Sequence, residues 1–116
     1  MSLLQVPATD GWDWEIVSYD GSMLVLGAGV SLAYGHSLLL EFVDVSYLAL
    51  PSQFSNPTFR EPSADEVTLV RRSVGESPLL LAAFEVDAYV GGGTVSCLVA
   101  ADSHQVRTGA FPRRGA

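Results

Sequence analysis

The stretch that decides the fold is residues 12–26, WDWEIVSYDGSMLVL. Apolar and acidic side chains alternate over its first five residues, which predicts a strand whose tryptophans face the interior while Asp13 and Glu15 face water. An Asp-Gly pair at 20–21 readily takes the positive φ angles of a type I′ turn, and an apolar run follows it. The stretch therefore predicts a β-hairpin with one apolar side and one acidic side.

A second extended segment follows at residues 37–50, which are rich in Leu, Val, Phe and Tyr. Its apolar residues occupy both parities, which is typical of a strand covered on both faces. Because fourteen residues exceed the usual strand, we expect a bend near Asp44 that carries the chain through two parts of a curled sheet. A helix is the alternative for this segment, but its β-branched and aromatic content favours extended chain. The three glycines between Gly27 and Gly35 predict a bulge or bend before it.

The second half of the chain contains one helical pattern. Residues 51–62 hold three prolines and predict an ordered loop without regular structure. Ser63 and Glu66 then form a capping-box pattern at the start of a helix that ends before Gly75. Strands are expected at 79–90 and 94–101, joined by a glycine turn at 91–93, with a short edge strand at 102–108.

Together these elements predict a mainly β (α+β) fold. We expect an antiparallel curled sheet, or a small partly closed β-roll, of about five to seven strands with one short amphipathic helix at about residues 63–74. Residues 1–108 are expected to form a single globular domain and residues 109–116 a mobile C-terminal tail.

Charge is distributed unevenly along the chain. The first 59 residues carry six of the thirteen acids and none of the six basic residues, the first of which is Arg60. An acidic half repels phosphate and attracts cations or basic proteins, and the tryptophans lie among acids, so nucleic acid is not an expected partner. Charged residues amount to only 16% of the chain, which favours self-association as a homodimer.

Motifs for catalysis or cofactor binding are weak. Residues 24–32 resemble the glycine turn of a dinucleotide-binding unit, but Leu32 replaces the third glycine and the preceding hairpin makes the strand antiparallel. His36 with Glu41 or Asp44 supplies too few ligands for a metal, and the same holds for Asp102 with His104. We therefore predict no cofactor, no metal and no catalytic residue. The single Cys97 lies in an apolar strand and is expected to be a buried thiol.

The leading functional hypothesis is a non-catalytic protein-interaction module. Its acidic surface would bind a basic partner protein, as bacterial immunity and adaptor proteins mask a basic toxin or regulator. Aromatic and arginine side chains on an ordered loop are typical of binding hot spots. The predicted contact residues are Asp13, Glu15, Phe54, Phe59 and Arg60.

The alternative hypothesis is a small-molecule-binding or enzymatic β-roll. Its apolar pocket would lie inside the sheet near Trp14, Leu40 and Phe42. The chain start lacks the basic and apolar regions of a secretory signal, and the longest apolar run is broken by acids, so we expect a cytoplasmic protein without membrane association.

Overall fold

The computed structural model describes residues 6–7, 11–88 and 93–112. Within these ranges the chain forms one antiparallel sheet of eight strands in the order β4-β7-β6-β5-β1-β2-β3-β8, together with one α-helix. The elements are β1 Asp13–Tyr19, β2 Leu24–Gly29, a 3-10 helix Leu32–Tyr34, β3 His36–Val43, β4 Tyr47–Ala49, β5 Gln53–Arg60, α1 Ala64–Val74, β6 Leu80–Ala88, β7 Thr94–Ala101 and β8 Ser103–Phe111. The predicted β-rich class is confirmed, with more strands than expected.

The sheet is curled around its own core. Buried side chains from β1–β3 pack in one cluster with buried side chains from β5–β7, which requires both halves of the sheet to face the same interior. We call this cluster the main core and the opposite side of the sheet the outer face. The buried members of the main core are Trp14, Leu24, Leu26, Ala28, Leu38, Leu40, Phe42, Val45, Phe54, Ala82, Phe84, Val86, Cys97, Val99 and Ala101.

The predicted bend near Asp44 is present. Asp44 has a φ of 56°, and the chain leaves β3, which pairs with β2 and β8, to enter β4, which pairs with β7. The amide of Asp102 donates to the carbonyl of Val43 at 2.9 Å, so the turn after β7 meets the bend. The two ends of the curled sheet therefore approach each other while β4 and β8 remain its open edges.

Helix α1 begins and ends as predicted. The Ser63 hydroxyl accepts from the Glu66 amide while the Glu66 carboxylate accepts from the Ser63 amide, and Gly75 ends the helix in the left-handed conformation. Val70 is fully buried and packs on the outer face of β6 and β7. The helix thus covers one half of the outer face. Its buried sheet contacts are Leu81, Ala83, Leu98 and Ala100.

The prediction of an irregular loop at residues 51–62 is wrong, because most of it forms β5, which pairs with both β1 and β6. Proline lacks the amide that a ladder needs, yet Pro57 falls where the pairing with β6 shifts register between Ser55 and Thr58. Asn56 has a φ of 52° at the same point. The irregularity therefore accommodates the proline without ending the strand.

Three further predictions differ at least partly from the structure. Strand β2 continues without interruption through Gly27 and Gly29, and the turn expected between Gly27 and Gly35 lies after it, as the 3-10 helix Leu32–Tyr34 that ends at Gly35 with a φ of 97°. Strand β3 buries alternate residues, whereas Ser37 is exposed and the other three are half-buried, where two covered faces were expected. Strand β8 continues to Phe111, so the first three residues of the predicted tail are extended. Residues 113–116 and most of the predicted turn at 91–93 lie outside the described ranges.

Candidate functional site

A cleft of about 420 Å³ opens on the half of the outer face that α1 does not cover. It lies over the middle of β2 and β3, between the end of β1 and the end of β8. We call it the outer cleft. Its lining residues are Val17, Ser18, Val25, His36, Leu39, Glu41, Phe111 and Pro112.

Two irregularities in strand pairing shape the walls of the outer cleft. The register between β1 and β2 shifts between Ile16 and Ser18, which makes Val17 an extra residue. Such a bulge re-aims side chains, and the consecutive residues Val17 and Ser18 both line the cleft. A second shift between β3 and β8 places Phe111 opposite His36, at the other wall.

His36, hydrogen-bonded to the buried Glu15, lines the inner wall of the cleft. Nε2 of His36 lies 2.7 Å from Oε2 of Glu15, and the two side chains are 4% and 11% exposed. Buried ionisable groups are stable only when paired, and this pair satisfies that requirement. When the Glu15 carboxylate accepts the Nε2 proton, Nδ1 of a neutral His36 is a hydrogen-bond acceptor. Among the hydrogen bonds of the described residues, none is made to Nδ1.

Gly27 makes room for the imidazole. A Cβ at Gly27 would lie 2.6 Å from Cδ2 of His36 and 2.7 Å from a methyl group of Val17. Similarly, a Cβ at Gly29 would lie 2.6 Å from the carbonyl oxygen of Gly35. Gly27 and Gly29, the two glycines of the dinucleotide-like motif, therefore allow neighbouring groups to lie close to the backbone of a regular strand.

A charged pair lies at the rim. Nη1 of Arg107 is 3.4 Å from Oε2 of Glu41, and the Arg107 guanidinium lies 5.4 Å from the centre of the Phe111 ring. The Arg107 side chain is 50% exposed and the Glu41 side chain 16%. Among the eight lining residues, Glu41 and His36 are the titratable ones. The outer cleft thus has apolar walls, one carboxylate at its rim and one imidazole at its inner wall.

Two of the five predicted partner-binding residues are not at the surface. Phe54 is fully buried and stacks on Trp14 with 5.9 Å between ring centres, because cross-strand partners of β1 and β5 share a face. Glu15 was expected to face water, but it is 8% exposed and pairs with His36. Strand alternation correctly places Glu15 on the outer face, away from the main core, but the His36 imidazole covers that part of the outer face.

The other three predicted contact residues are partly accessible. Phe59 packs on Phe84 with 4.9 Å between the ring centres, and Asp13 is half-buried in β1. Arg60 donates to Glu66 at 2.7 and 2.9 Å and to Glu85 at 3.2 Å. These hydrogen bonds hold the pKa of Glu66 down to about 2 and raise the pKa of Arg60. Arg60 is therefore occupied in joining β5, β6 and the start of α1.

The three residues predicted to line an interior pocket lie in the main core. Trp14, Leu40 and Phe42 are all 0% exposed and belong to that cluster. The indole N–H of Trp14 has no acceptor among the described residues. The outer cleft lies on the opposite face of the sheet.

The residues considered for metal binding do not form a ligand group among the described residues. His36 pairs with Glu15 instead of Glu41 or Asp44, and within the described ranges no group of three or more potential metal ligands occurs. Cys97 is fully buried, as predicted, and burial raises the pKa of its thiol to about 11. Neither feature adds a reactive group to the outer cleft.

Sequence reasoning missed the outer cleft, since its residues come from four strands and two of its walls depend on register shifts. One signal was present. Gly27 stands inside an apolar strand pattern, and a glycine there indicates that another group approaches the backbone closely.

Comparison of the chain with protein-family models, with curated proteins and with solved structures finds no match. Among the described residues, no helix has the length and apolar character needed to cross a bilayer.

Proposed function

We propose that the protein binds a small, largely apolar molecule in the outer cleft. The observation that supports this proposal is the buried His36–Glu15 pair at the wall of an open cleft of about 420 Å³. Ligand sites typically combine apolar walls with a few fixed polar groups that orient the bound molecule. The walls here are supplied by Val17, Val25 and Leu39 together with Phe111.

The His36–Glu15 pair supports a binding role more than a purely structural one. Desolvating a carboxylate and an imidazole is costly, and apolar side chains of similar size often stabilise a fold equally well. The pair nevertheless fixes the His36 ring at the wall of a cleft, and no hydrogen bond from a described residue reaches its Nδ1. A ligand with an N–H or O–H group would gain a preorganised acceptor there.

The predicted complex with a basic protein has less support. It requires an acidic surface joined to aromatic contacts, but Phe54 and Glu15 are buried and Arg60 is engaged by Glu66 and Glu85. The outer cleft is already assembled, so small-molecule binding is the function that the geometry favours.

The test is fluorescence titration with the neutral apolar probe N-phenyl-1-naphthylamine. Ser18→Trp places an indole at the cleft wall, and Ser96→Trp makes the same change on an exposed site of β7. We expect saturable binding by wild type and by Ser96→Trp, and a loss of affinity of about tenfold or more in Ser18→Trp. Circular dichroism and urea unfolding establish that both variants fold. Equal binding by the two variants, or no saturable binding by wild type, would contradict the proposal.

A further inference from the structure

We infer that the outer cleft selects an amphipathic cation, a small molecule with an apolar body and a primary ammonium group. This inference rests on the proposed function and specifies its ligand class. It comes from the position of the charged groups around the cleft.

The first argument is that the Glu41 carboxylate is only weakly paired. Its carboxylate lines the cleft and is paired with Arg107 at 3.4 Å, longer than the 2.7–2.9 Å typical of a charge-assisted hydrogen bond. Because the Arg107 side chain is half exposed, this surface pair contributes little free energy. Glu41 therefore retains acceptor capacity for a cation that enters the cleft.

The second argument is the pairing of a carboxylate with an aromatic ring. The Arg107 guanidinium contacts Glu41 and lies 5.4 Å from the centre of the Phe111 ring. A cation within about 6 Å of an aromatic centroid is attracted by the negative face of the ring. The rim of the cleft thus already holds one intramolecular cation between Glu41 and Phe111, in the surroundings that an ammonium group requires.

The third argument is the sign of the charge inside the cleft. None of the eight lining residues is a lysine or arginine, and Glu15 adds a second carboxylate directly behind His36. In the tautomer whose Nε2 donates to Glu15, Nδ1 of His36 is a hydrogen-bond acceptor for an N–H donor. An ammonium group is therefore favoured over a carboxylate or phosphate, which would be repelled by both glutamates.

Three ligands with the same phenyl ring and two-carbon chain test the charge preference: 2-phenylethylamine, 2-phenylethanol and 3-phenylpropanoate. Isothermal titration calorimetry on the full chain is expected to give the amine about tenfold higher affinity than the alcohol, and the carboxylate the weakest binding. Equal or tighter binding of the alcohol or the carboxylate would overturn the inference.

Variants at the rim test which groups cause the preference. Glu41→Gln should remove the advantage of the amine over the alcohol, whereas Glu76→Gln, with the same charge change on an exposed residue, should keep it. Arg107→Ala removes the competing cation and should raise amine affinity about threefold. Arg72→Ala, an exposed helical control, should leave that affinity unchanged. Weaker amine binding by Arg107→Ala than by Arg72→Ala would overturn the inference.

The two proposals fail in different ways. If N-phenyl-1-naphthylamine binds in a manner blocked by Ser18→Trp but the amine has no advantage, the cleft stands and the cationic ligand class is wrong. If neither that probe nor any of the three phenyl ligands binds, the proposed function itself is wrong.

Discussion

At the scale of single residues, the close approach of His36 to Gly27 places the imidazole at the wall of the outer cleft. The imidazole occupies the space in which any other residue at position 27 would place its Cβ. The ring in turn covers Glu15, which converts a strand position that should face water into a buried one. The lack of a side chain at Gly27 and the burial of the His36–Glu15 pair are therefore two parts of one arrangement.

Gly27→Ala tests this arrangement. The new methyl group would lie 2.6 Å from Cδ2 of His36 and 2.7 Å from a methyl group of Val17, so these close contacts must be relieved by a shift of the neighbouring groups. We expect the free energy of unfolding to fall by about 1–3 kcal/mol, the usual cost of overpacking. Urea denaturation measures it.

Gly93→Ala is the control for this substitution. A Cβ there meets no atom within 4 Å, and the residue is outside the left-handed region. It should change stability by less than about 1 kcal/mol in either direction. Equal unfolding midpoints for the two alanine variants would show that the His36 ring does not depend on Gly27.

Cys97 gives a second prediction at the residue scale. Its thiol is fully buried, and burial raises its pKa to about 11, so little thiolate forms and reagents have no access. We expect iodoacetamide at pH 8 to leave the folded protein unmodified and to add one adduct in concentrated urea, as measured by intact mass. Rapid alkylation of the folded chain would contradict the position of Cys97 in the main core.

At the scale of secondary-structure elements, local signals in the sequence were reliable where short-range chemistry decides the structure. Helix α1 was predictable because Ser63 and Glu66 cap it and Gly75 ends it. Strand β5 was not, because three prolines indicate a loop, and only its partners reveal that the Asn56–Pro57 step lies in a register shift. The position of the hairpin turn between β1 and β2 was predicted correctly, but its turn type was not.

The turn after β1 shows why its type differed. A type I′ turn needs positive φ at both central residues, yet of the Asp20-Gly21 pair only Gly21 has it. The Asp20 carboxylate instead accepts hydrogen bonds from the amides of Ser22 and Met23 at 2.9 and 2.8 Å. These hydrogen bonds lower the pKa of Asp20.

The start of α1 predicts a pH dependence. Hydrogen bonding by Arg60 holds the pKa of Glu66 at about 2 in the folded protein, below its ordinary value of 4.5. Because the folded pKa is the lower one, this carboxylate stabilises the fold fully above pH 4.5 and loses that contribution as the pH falls toward 2. Urea midpoints measured from pH 6 to pH 2 should therefore decline less steeply in Glu66→Gln than in wild type.

Asp65→Asn is the matched control, since Asp65 is an exposed acid in the same helical turn. Its unfolding midpoints should retain the steep wild-type decline below pH 4.5. If Glu66→Gln declined as steeply as Asp65→Asn, the Arg60 pair would not account for the acid sensitivity.

At the scale of the whole molecule, the two halves of the curled sheet have different outer faces. Helix α1 covers the half built on β6 and β7, whereas the half built on β1, β2 and β3 is open and carries the outer cleft. This division could not be read from the sequence. It depends on long-range neighbours such as β1 with β5 and β4 with β7, and on the end of β8 reaching the start of β3.

The candidate site was unpredictable for the same reason. Sequence periodicity correctly assigned Trp14, Leu40 and Phe42 to one apolar face, but it could not show that this face is filled. It also assigned Glu15 to water, because the partner that covers it is 21 residues away on another strand. Burial of one face of the strands was predictable from the sequence. The cleft on the other face depends on the pairing register of the strands, which the sequence pattern does not reveal.

The most direct measurement is a map of backbone amide chemical-shift changes when ¹⁵N-labelled protein is titrated with 2-phenylethylamine. The account predicts that saturable changes concentrate at the outer cleft, on Val17, Val25, Leu39 and Phe111, and that they disappear in Ser18→Trp. Saturable changes confined to the helix-covered half of the sheet, or an absence of changes at millimolar ligand, would contradict it.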